Sequence, residues 1–321
     1  MGVSVGGRGI PLVFFHGIGM NRRIYLKLLS RLPQLGFLVV AIDAPGHGDT
    51  FAPLTGRDTF DQRVADTEQI LTELGIERAV LVGHSMGGRT AAELAARHPE
   101  RALAVVLINP ALGGVFDAAR IRIGSPSQTA AALAAAVHDT IRDRVGLKGF
   151  GHVRYFQTLG GLVVQTATHP RLFSSAAQAI AKSSESASAL RALALARCPS
   201  AIIHGERDMI VPIESAIEAA ALSAATLVTL PKAHHSWVLT TPWTFAEILH
   251  QLISDRRLGD ELHDALASGM SVCGQRQDAL VVKMAPPLQV LGRASPLRRK
   301  YYHSWRIWPP DQVLRSAESG A

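Results

Sequence analysis

The sequence predicts an α/β fold, in which a mostly parallel sheet is covered by helices on both faces. Short, uninterrupted apolar runs alternate with segments of helical periodicity, a pattern typical of strands buried on both faces of a parallel sheet. One run, "AVLV" (79–82), passes through a glycine-flanked turn directly into a helix. With 321 residues, of which 47% are hydrophobic and 18% charged, the chain can bury a large core.

The predicted elements follow one another regularly through the first third of the chain. Helical spacing predicts helices at 22–32 and within 59–74, and Pro99 ends a third helix that follows the glycine-flanked turn. After an interruption the alternation resumes, and a last helix is predicted at 243–253. The predicted strands are 10–17, the apolar part of 36–48, 79–82, 102–110, 199–208 and 225–235.

The composition changes at two places, which divide the chain into three parts. Residues 111–198 are rich in Ala, Ser and Gly, with weak helical patterns and no clear strand. We interpret them as a helical cap or lid inserted into a core of residues 1–110 and 199–255. Residues 256–321 hold ten Lys and Arg against six Asp and Glu, and two of the four Trp. We expect them to be a basic, aromatic extension that is poorly ordered and packs loosely on the core.

Charge and cysteine content favour a mildly basic enzyme in a reducing compartment. The net charge of +7 would suit acidic partners, but no nucleic-acid-binding module is present in the sequence, and we expect none to be bound. Two cysteines do not make a disulfide framework. The first residues lack the pattern of a signal peptide, and no run of 18 apolar residues occurs. We therefore expect a cytoplasmic location.

The segment "GHSMG" (83–87) is the strongest chemical signal in the sequence. The pattern G-x-S-x-G is common, but here it follows an apolar strand and precedes a helix, which is the context that makes it informative. Side chains at Gly83 and Gly87 would collide with neighbouring backbone, and Ser85 would sit at a strained backbone conformation. The turn lifts the Ser85 hydroxyl clear of the sheet beside a helix N-terminus. Ser85 is therefore a candidate nucleophile.

A serine nucleophile also needs a base and donors for the oxyanion that forms on attack. The loop "HGIG" (16–19) follows the first clear strand and can aim the Ile18 backbone N–H at the same point as the Met86 N–H. His16 is interpreted as a structural residue, because it lies too early in the chain to be the base.

Together these motifs resemble the α/β-hydrolase superfamily, over roughly residues 10–253. The resemblance implies a serine hydrolase with the chain order Ser, Asp, His, and identifies no substrate. The motifs that carry it are "HGIGM", "DAPGHGDT", "GHSMGG", "HGERDMIVP" and "KAHHSW". The second resembles a loop of the family that is mostly structural, so His47 is interpreted as a structural residue.

The resemblance assigns the acid to Asp208, which follows the strand "AIIHG" in "GERD". It would hold the imidazole in one tautomer and stabilise the imidazolium. Glu206 is the rival carboxylate, but it lies too close to the strand end. Some family members carry the acid after the preceding strand, where this chain has Asn109, which cannot serve as a charged acid.

The base falls within a pair of adjacent histidines, and the resemblance favours the second. A small residue usually precedes the catalytic histidine of the family, and "AHHS" puts His234 in that place and His235 at the family histidine. We expect His235 to be the base and His234 a loop or pocket-wall residue.

The predicted activity is hydrolysis of a carboxylic ester or related acyl bond through an acyl-enzyme, with no metal or organic cofactor. The alanine-rich insertion favours a small hydrophobic acyl substrate. Carbon–carbon bond hydrolysis, acyl transfer by the same triad and a non-catalytic binding protein remain alternatives. The insertion's His138, His152 and His169 lack metal-ligand spacing and are interpreted as ordinary cap residues.

Two features depart from the family pattern. The family core usually begins with two further strands before the "HG" strand, and residues 1–9 leave room for the end of only one. Residues 279–284 could pair at that edge, although we rank this possibility last. In the extension, 296–310 ("PLRRKYYHSWRIWPP") combines cations with aromatic residues, which would suit peripheral contact with an anionic membrane.

Overall fold

The computed structural model describes residues 2–50, 59–120, 178–268 and 304–319. Within these residues, eight strands form one sheet in the order β1-β3-β2-β4-β5-β6-β7-β8. The fold class predicted from the sequence is thereby confirmed. The strands are β1 (Val3–Gly7), β2 (Ile10–Phe15), β3 (Phe37–Ile42), β4 (Ala79–His84), β5 (Ala102–Ile108), β6 (Ser200–Gly205), β7 (Thr226–Leu230) and β8 (Arg306–Trp308).

Helices lie on both faces of this sheet. The predicted helix at 22–32 is instead a 3₁₀ turn (Arg22–Tyr25) followed by a single α-helical turn (Leu26–Leu29) and a second 3₁₀ turn (Leu32–Leu35). The helices are α1 (Leu26–Leu29), α2 (Phe60–Glu73), α3 (Met86–Arg97), α4 (Gly114–Arg120), α5 (Ala187–Leu195), α6 (Ile213–Ser223), α7 (Trp237–Thr240), α8 (Pro242–Ser254), α9 (Asp260–Ala267) and α10 (Pro310–Ser319).

Six central strands run parallel, and both outer strands run antiparallel to their neighbours. At one edge, β1 pairs with β3 over five residues, from Val3 opposite Ile42 to Gly7 opposite Leu38. This is the single strand for which the sequence left room. The pairing suggested for 279–284 lies outside the described residues.

The described part of the C-terminal extension is an integral part of the fold. Strand β8 pairs with β7, with Trp308 opposite Leu227 and Arg306 opposite Thr229. Helix α10 packs against α6 and β7, and its Val313 is only 1% exposed. The expectation of a loosely packed extension is therefore wrong for 304–319. The backbone groups along the outer edge of β7 need hydrogen-bond partners, and β8 supplies them.

The region predicted as a cap is only partly described, since 121–177 lie outside the described residues. Helix α5 falls within the predicted range 111–198, but it packs against α3 and α6 of the core. The two ends of the region are tied together beneath α3. Arg89 Nη1 lies 2.9 Å from Asp117 Oδ1, and Asp117 Oδ2 accepts hydrogen bonds from the backbone N–H (2.6 Å) and hydroxyl (2.7 Å) of Ser186.

Alternate residues of each central strand enter opposite halves of the core. In β2, Val13 and Phe15 face the half that includes α2, α3, α5 and α6, whereas Leu12 and Phe14 face the half that includes α1, α8 and α9. This arrangement explains why the strands appear as continuous apolar runs. None of the described helices combines the length and apolar character needed to cross a bilayer.

Candidate active site

Ser85 lies on the turn between β4 and α3, at the carboxyl edge of the sheet. Its φ of +55° and ψ of −118° are unusual for a residue with a side chain. A Cβ on Gly83 would come within 2.1 Å of the Gly87 oxygen, and one on Gly87 within 2.2 Å of the Phe15 oxygen. The two glycines are thus required by close backbone approach, as the sequence predicts.

Backbone hydrogen bonds from β5 and the following loop hold this strained turn. The Ser85 N–H donates to the Ile108 oxygen at 2.9 Å, and the Ser85 oxygen accepts from the Ala111 N–H at 3.1 Å. The side chain of Ser85 therefore projects from a backbone that is fixed on both sides. A residue in such a conformation is characteristic of functional sites.

Asp208 and His235 are brought together by the loops after β6 and β7. His235 Nδ1 lies 2.7 Å from Asp208 Oδ2, and both residues are buried. The other carboxylate oxygen, Oδ1, accepts the backbone N–H groups of Ile210 (2.8 Å) and Val211 (2.9 Å). The carboxylate is thus fixed by its own loop and presents Oδ2 to the imidazole.

Electrostatics keep this carboxylate ionised. Burial raises the pKa of Asp208, but attraction to His235 and the hydrogen bonds from His235 and Asn109 outweigh burial, so the pKa lies below its ordinary value. A second imidazole, that of His204, lies 3.5 Å from Oδ2, and its Nε2 lies 2.9 Å from the Val211 oxygen. Asp208 can therefore serve as a charged partner for His235 at neutral pH.

Asn109 and Trp237 form a second layer behind the acid, which the sequence analysis missed. Asn109 Nδ2 donates to Asp208 Oδ2 at 2.6 Å, and Asn109 Oδ1 accepts the Trp237 indole N–H at 2.7 Å. Because an indole nitrogen only donates, this contact fixes which end of the amide faces Asp208. The signal in the sequence was Asn109 itself, at the alternative position of the family acid.

The two rival residues lie near the acid and the base in the chain. Glu206 is half-buried two residues before Asp208, and its backbone N–H bonds to the Leu230 oxygen. His234 is buried, with 9% of its surface exposed. His235, in contrast, faces the acid, and its ring lies 5.0 Å from that of His84, the residue before Ser85.

The two predicted oxyanion donors flank the serine. Ile18 belongs to the loop after β2, and Met86 begins α3. Among the described residues, neither backbone N–H has a hydrogen-bond acceptor. A Cβ on the neighbouring Gly17 would lie 3.4 Å from Ser85 Cβ, which shows how closely this loop approaches the serine.

The neutral rings of His16 and His47 hold the backbone in and around the loop after β2. His16 Nε2 accepts the Ala44 N–H at 2.9 Å, and burial lowers its pKa to about 4. His47 Nε2 accepts the Gly19 N–H at 3.2 Å, and burial together with the nearby His16 lowers its pKa to about 3. These bonds agree with the structural roles expected for both histidines.

A serine on a strained turn, an acid–imidazole pair and backbone N–H donors are groups that together can carry out acyl transfer. The described residues contain no cluster of three or more His, Cys, Asp or Glu able to hold a metal ion. His138, His152 and His169 lie outside the described residues.

Comparisons with known proteins agree with this class. The family model of the α/β-hydrolase fold matches residues 10–150. Over 262 residues the chain is 34% identical to a protein of Mycobacterium phage D29 that is named a candidate non-heme haloperoxidase, with 79% of this chain and 91% of that protein covered. It is 36% identical over 107 residues to lipase LipV of Mycobacterium tuberculosis, covering 33% of this chain and 39% of the lipase.

Solved structures show the same fold at lower identity. A bacterial membrane phospholipase A matches with a TM-score of 0.63 and 21% identity, covering 79% of this chain and 82% of its own. The enol-lactonase of Burkholderia xenovorans LB400 matches with a TM-score of 0.62 and 22% identity, covering 79% and 96%. The fold and site define a hydrolase. This chain belongs to the α/β-hydrolase family.

Proposed function

We propose that this protein is a serine hydrolase that cleaves a carboxylic ester or related acyl bond through an acyl-enzyme. The observation that carries the proposal is the 2.7 Å contact between His235 Nδ1 and buried Asp208, at the same carboxyl edge of the sheet as a serine held at positive φ. We assign Ser85 as nucleophile, His235 as base and Asp208 as orienting acid. The Ile18 and Met86 N–H groups are the oxyanion donors.

In the first half-reaction, His235 Nε2 takes the proton of Ser85 Oγ as that oxygen bonds to the acyl carbon. The carbonyl electron pair moves to oxygen, and the Ile18 and Met86 N–H groups bind the resulting oxyanion. When the tetrahedral species collapses, the ester C–O bond breaks and the leaving alkoxide takes the proton from His235.

In the second half-reaction, water gives a proton to His235 and attacks the acyl carbon. Collapse returns the proton to Ser85 Oγ and releases the carboxylic acid. Asp208 stays ionised throughout and stabilises the imidazolium that forms twice in each cycle. No metal or organic cofactor takes part in any step.

The proposed substrate is a small hydrophobic acyl compound. Its support is the low aromatic and high alanine content of 111–198, together with relatives and structural neighbours named lipase, carboxylesterase and enol-lactonase. A panel of p-nitrophenyl esters of increasing chain length tests the preference. Turnover that falls steadily from acetate to longer esters would support a small substrate.

Labelling with a fluorophosphonate probe tests the serine mechanism. We expect the native protein to be labelled and Ser85→Ala to be unlabelled. Ser223→Ala is a matched control, because it removes a buried serine hydroxyl on α6, away from the site. Failure of well-folded native protein to react would exclude a serine hydrolase and favour the non-catalytic alternative.

The phage relative supports a second candidate, in which hydrogen peroxide replaces water. Attack of peroxide on the acyl-enzyme would release a peroxy acid and regenerate the Ser85 hydroxyl. The peroxy acid could then oxidise bromide. Bromination of monochlorodimedone that requires acetate, peroxide and Ser85 would support this activity.

Carbon–carbon cleavage and acyl transfer by the same residues are tested with other substrates. Turnover of a vinylogous diketone without turnover of esters would favour carbon–carbon cleavage. Ester product formed in the presence of an alcohol acceptor, at the expense of free acid, would favour acyl transfer.

A further inference from the structure

Two buried side chains outside the triad, Tyr25 and His84, connect the loops that carry the oxyanion donor and the base. The Gly17 N–H donates to the Tyr25 hydroxyl at 3.3 Å, and that hydroxyl lies 2.7 Å from His84 Nδ1. On the far side of the ring, His84 Nε2 lies 3.0 Å from the His235 backbone oxygen. Both side chains are almost fully buried, with exposures of 1% for Tyr25 and 0% for His84.

The chemistry of these groups fixes the direction of every hydrogen bond. A backbone oxygen only accepts, so His84 Nε2 carries the proton and donates it to His235. Burial, together with the charge of His235, lowers the pKa of His84 to about 3, which leaves its ring neutral. Its Nδ1 therefore accepts, and the Tyr25 hydroxyl donates to it.

The remaining contacts agree with that direction. With its one hydrogen directed to His84, the Tyr25 oxygen keeps lone pairs for the Gly17 N–H. Met20 Sδ also lies 2.8 Å from this hydroxyl, but a thioether is a weak acceptor and does not compete with an imidazole nitrogen. Burial also raises the pKa of Tyr25, so its hydroxyl keeps the proton.

The chain of bonds bears directly on the proposed oxyanion donor. The N–H groups on both sides of Ile18 are held by buried side chains, Gly17 by Tyr25 and Gly19 by His47. The Ile18 N–H between them has no acceptor among the described residues and is available for substrate. At the other end, the His235 backbone oxygen is held by His84, which precedes Ser85 in the chain.

We propose that Tyr25 and His84 are positioning residues. They form one directional hydrogen-bond chain from the Gly17 N–H through Tyr25 and His84 to the His235 backbone oxygen. This chain fixes the loop after β2, which carries the oxyanion donor, relative to the loop after β7, which carries the base. Its catalytic consequence rests on the proposed function. The chain itself can be observed whether or not the enzyme turns over a given substrate.

Nitrogen-15 NMR of the histidine rings tests the chain itself. We expect His84, assigned by its loss in His84→Phe, to be a neutral ring protonated at Nε2 at pH 7. Tyr25→Phe should shift the His84 Nδ1 resonance toward that of a nitrogen without a donor, and shift the Gly17 amide proton upfield. A His84 ring protonated at Nδ1, or one unaffected by Tyr25→Phe, overturns the proposal.

Kinetics tests the consequence with a readout that a general structural effect would not change. A thionoester presents sulfur, a weak acceptor, where an ester presents oxygen, so its turnover gains little from the oxyanion donors. For Tyr25→Phe we expect kcat for p-nitrophenyl acetate to fall about 10- to 100-fold, with KM within about twofold. The rate ratio of ester to thionoester should fall as well. An unchanged ratio overturns the catalytic role.

A double substitution tests whether the two residues act as a unit. The loss in Tyr25→Phe/His84→Phe should be little larger than that of the more damaging single change, and additive losses would contradict a single chain. Ser223→Ala, the remote control, should leave the rate ratio unchanged. If native protein shows no Ser85-dependent turnover, the proposed function is wrong. The NMR measurement still tests whether the hydrogen-bond chain exists.

Discussion

Asn109 donates a 2.6 Å hydrogen bond to Asp208 Oδ2, the same oxygen that lies 2.7 Å from His235 Nδ1. The position that the family resemblance offers as an alternative place for the acid is thus held in this chain by a residue that supports the acid. The Trp237 indole N–H bonds to Asn109 Oδ1 and thereby sets the orientation of the amide. In the opposite orientation the amide oxygen would face the Asp208 carboxylate, and two acceptors would meet.

Asn109→Ala should lower kcat about 10- to 100-fold, because a hydrogen bond to a charged group contributes about 1.5–3 kcal/mol. Trp237→Phe should lower kcat less, since the amide keeps its bond to Asp208 and loses only its orienting partner. Steady-state kinetics measures both, and the urea midpoint separates effects on folding. A kcat of Asn109→Ala equal to that of native protein would contradict the supporting role.

The two adjacent histidines should behave oppositely on substitution. His235→Ala removes the ring that contacts Asp208 and should reduce kcat by at least about 10³-fold. His234→Ala should retain most activity, because the imidazole in contact with Asp208 Oδ2 is that of His235. Turnover of p-nitrophenyl acetate measures both variants. The reverse order would place the base at His234.

Protonation of buried histidines should destabilise the fold below neutral pH. Burial lowers the pKa of His16 to about 4, and burial with nearby imidazole charge lowers those of His47 and His84 to about 3. The unfolded chain takes up these protons near pH 6.5, so stability is complete above that pH and is lost as pH falls toward 4. The free energy of unfolding should fall by up to about 4 kcal/mol per pH unit near pH 5.

Urea unfolding between pH 5 and 8 measures this slope. His47→Gln should reduce it by about 1.4 kcal/mol per pH unit, the contribution of one proton. The exposed His250 offers the matched control, His250→Gln. A native protein whose stability is constant from pH 7 to 5 would show that these rings are not held neutral.

The ion pair beneath α3 should be important for stability. Asp117→Asn removes the carboxylate 2.9 Å from the fully buried Arg89 guanidinium and leaves it the Glu93 carboxylate at 3.8 Å. The loss should cost up to about 3–5 kcal/mol of unfolding free energy. Asp311→Asn removes an exposed i,i+4 pair with Arg315 and should cost less than about 0.5 kcal/mol. Urea unfolding of both variants makes the comparison. Equal effects would mean that Asp117 is not paired in solution.

Two neighbours on α10 test whether the C-terminal helix packs on the core. Val313 is 1% exposed and Leu314 is 45% exposed. Val313→Ala should lower the free energy of unfolding by about 1.5–3 kcal/mol, and Leu314→Ala should change it by less than about 0.5 kcal/mol. Equal small effects would indicate a helix detached from the core.

The membrane contact proposed for 296–310 needs a test that leaves the sheet intact. The indole N–H groups of Trp305 and Trp308 bond to Gln251 and Thr229, so truncation would also expose the edge of β7. Substitution of Arg298, Arg299 and Lys300 by Gln avoids this problem. Flotation with anionic liposomes should then decrease relative to native protein, and unchanged flotation would argue against the contact.

Local patterns were sufficient for the parallel sheet and for the sharp turn at Ser85, whereas the order of the candidate triad came from the family resemblance. Continuous apolar runs mark strands covered on both faces, and the glycines around Ser85 mark a turn that only small residues allow. The prediction of a helix at 22–32 was wrong because contacts with residues distant in the chain determine the conformation of its first turn. Arg22 turns inward to bond Asp43 and the Ser4 hydroxyl, and Pro33 lies within the second 3₁₀ turn.

Contacts between distant segments could not be predicted in this way. The bond from Asn109 to Asp208 and the pairing of β8 with β7 each join residues far apart in the chain. Local periodicity carries no information about such partners. Tyr25 appeared as one apolar position of a helix, and only the fold shows that its hydroxyl meets His84.

The pairing of β7 with β8 also has a consequence during biosynthesis. Leu230 ends β7, and Arg306, which begins β8, is made only after all the intervening residues. At roughly 5–20 residues per second, the outer edge of β7 waits about 4–15 s for its partner. A nascent chain therefore presents an unpaired strand edge throughout that interval, when chaperones or neighbouring nascent chains on the same messenger RNA could bind it.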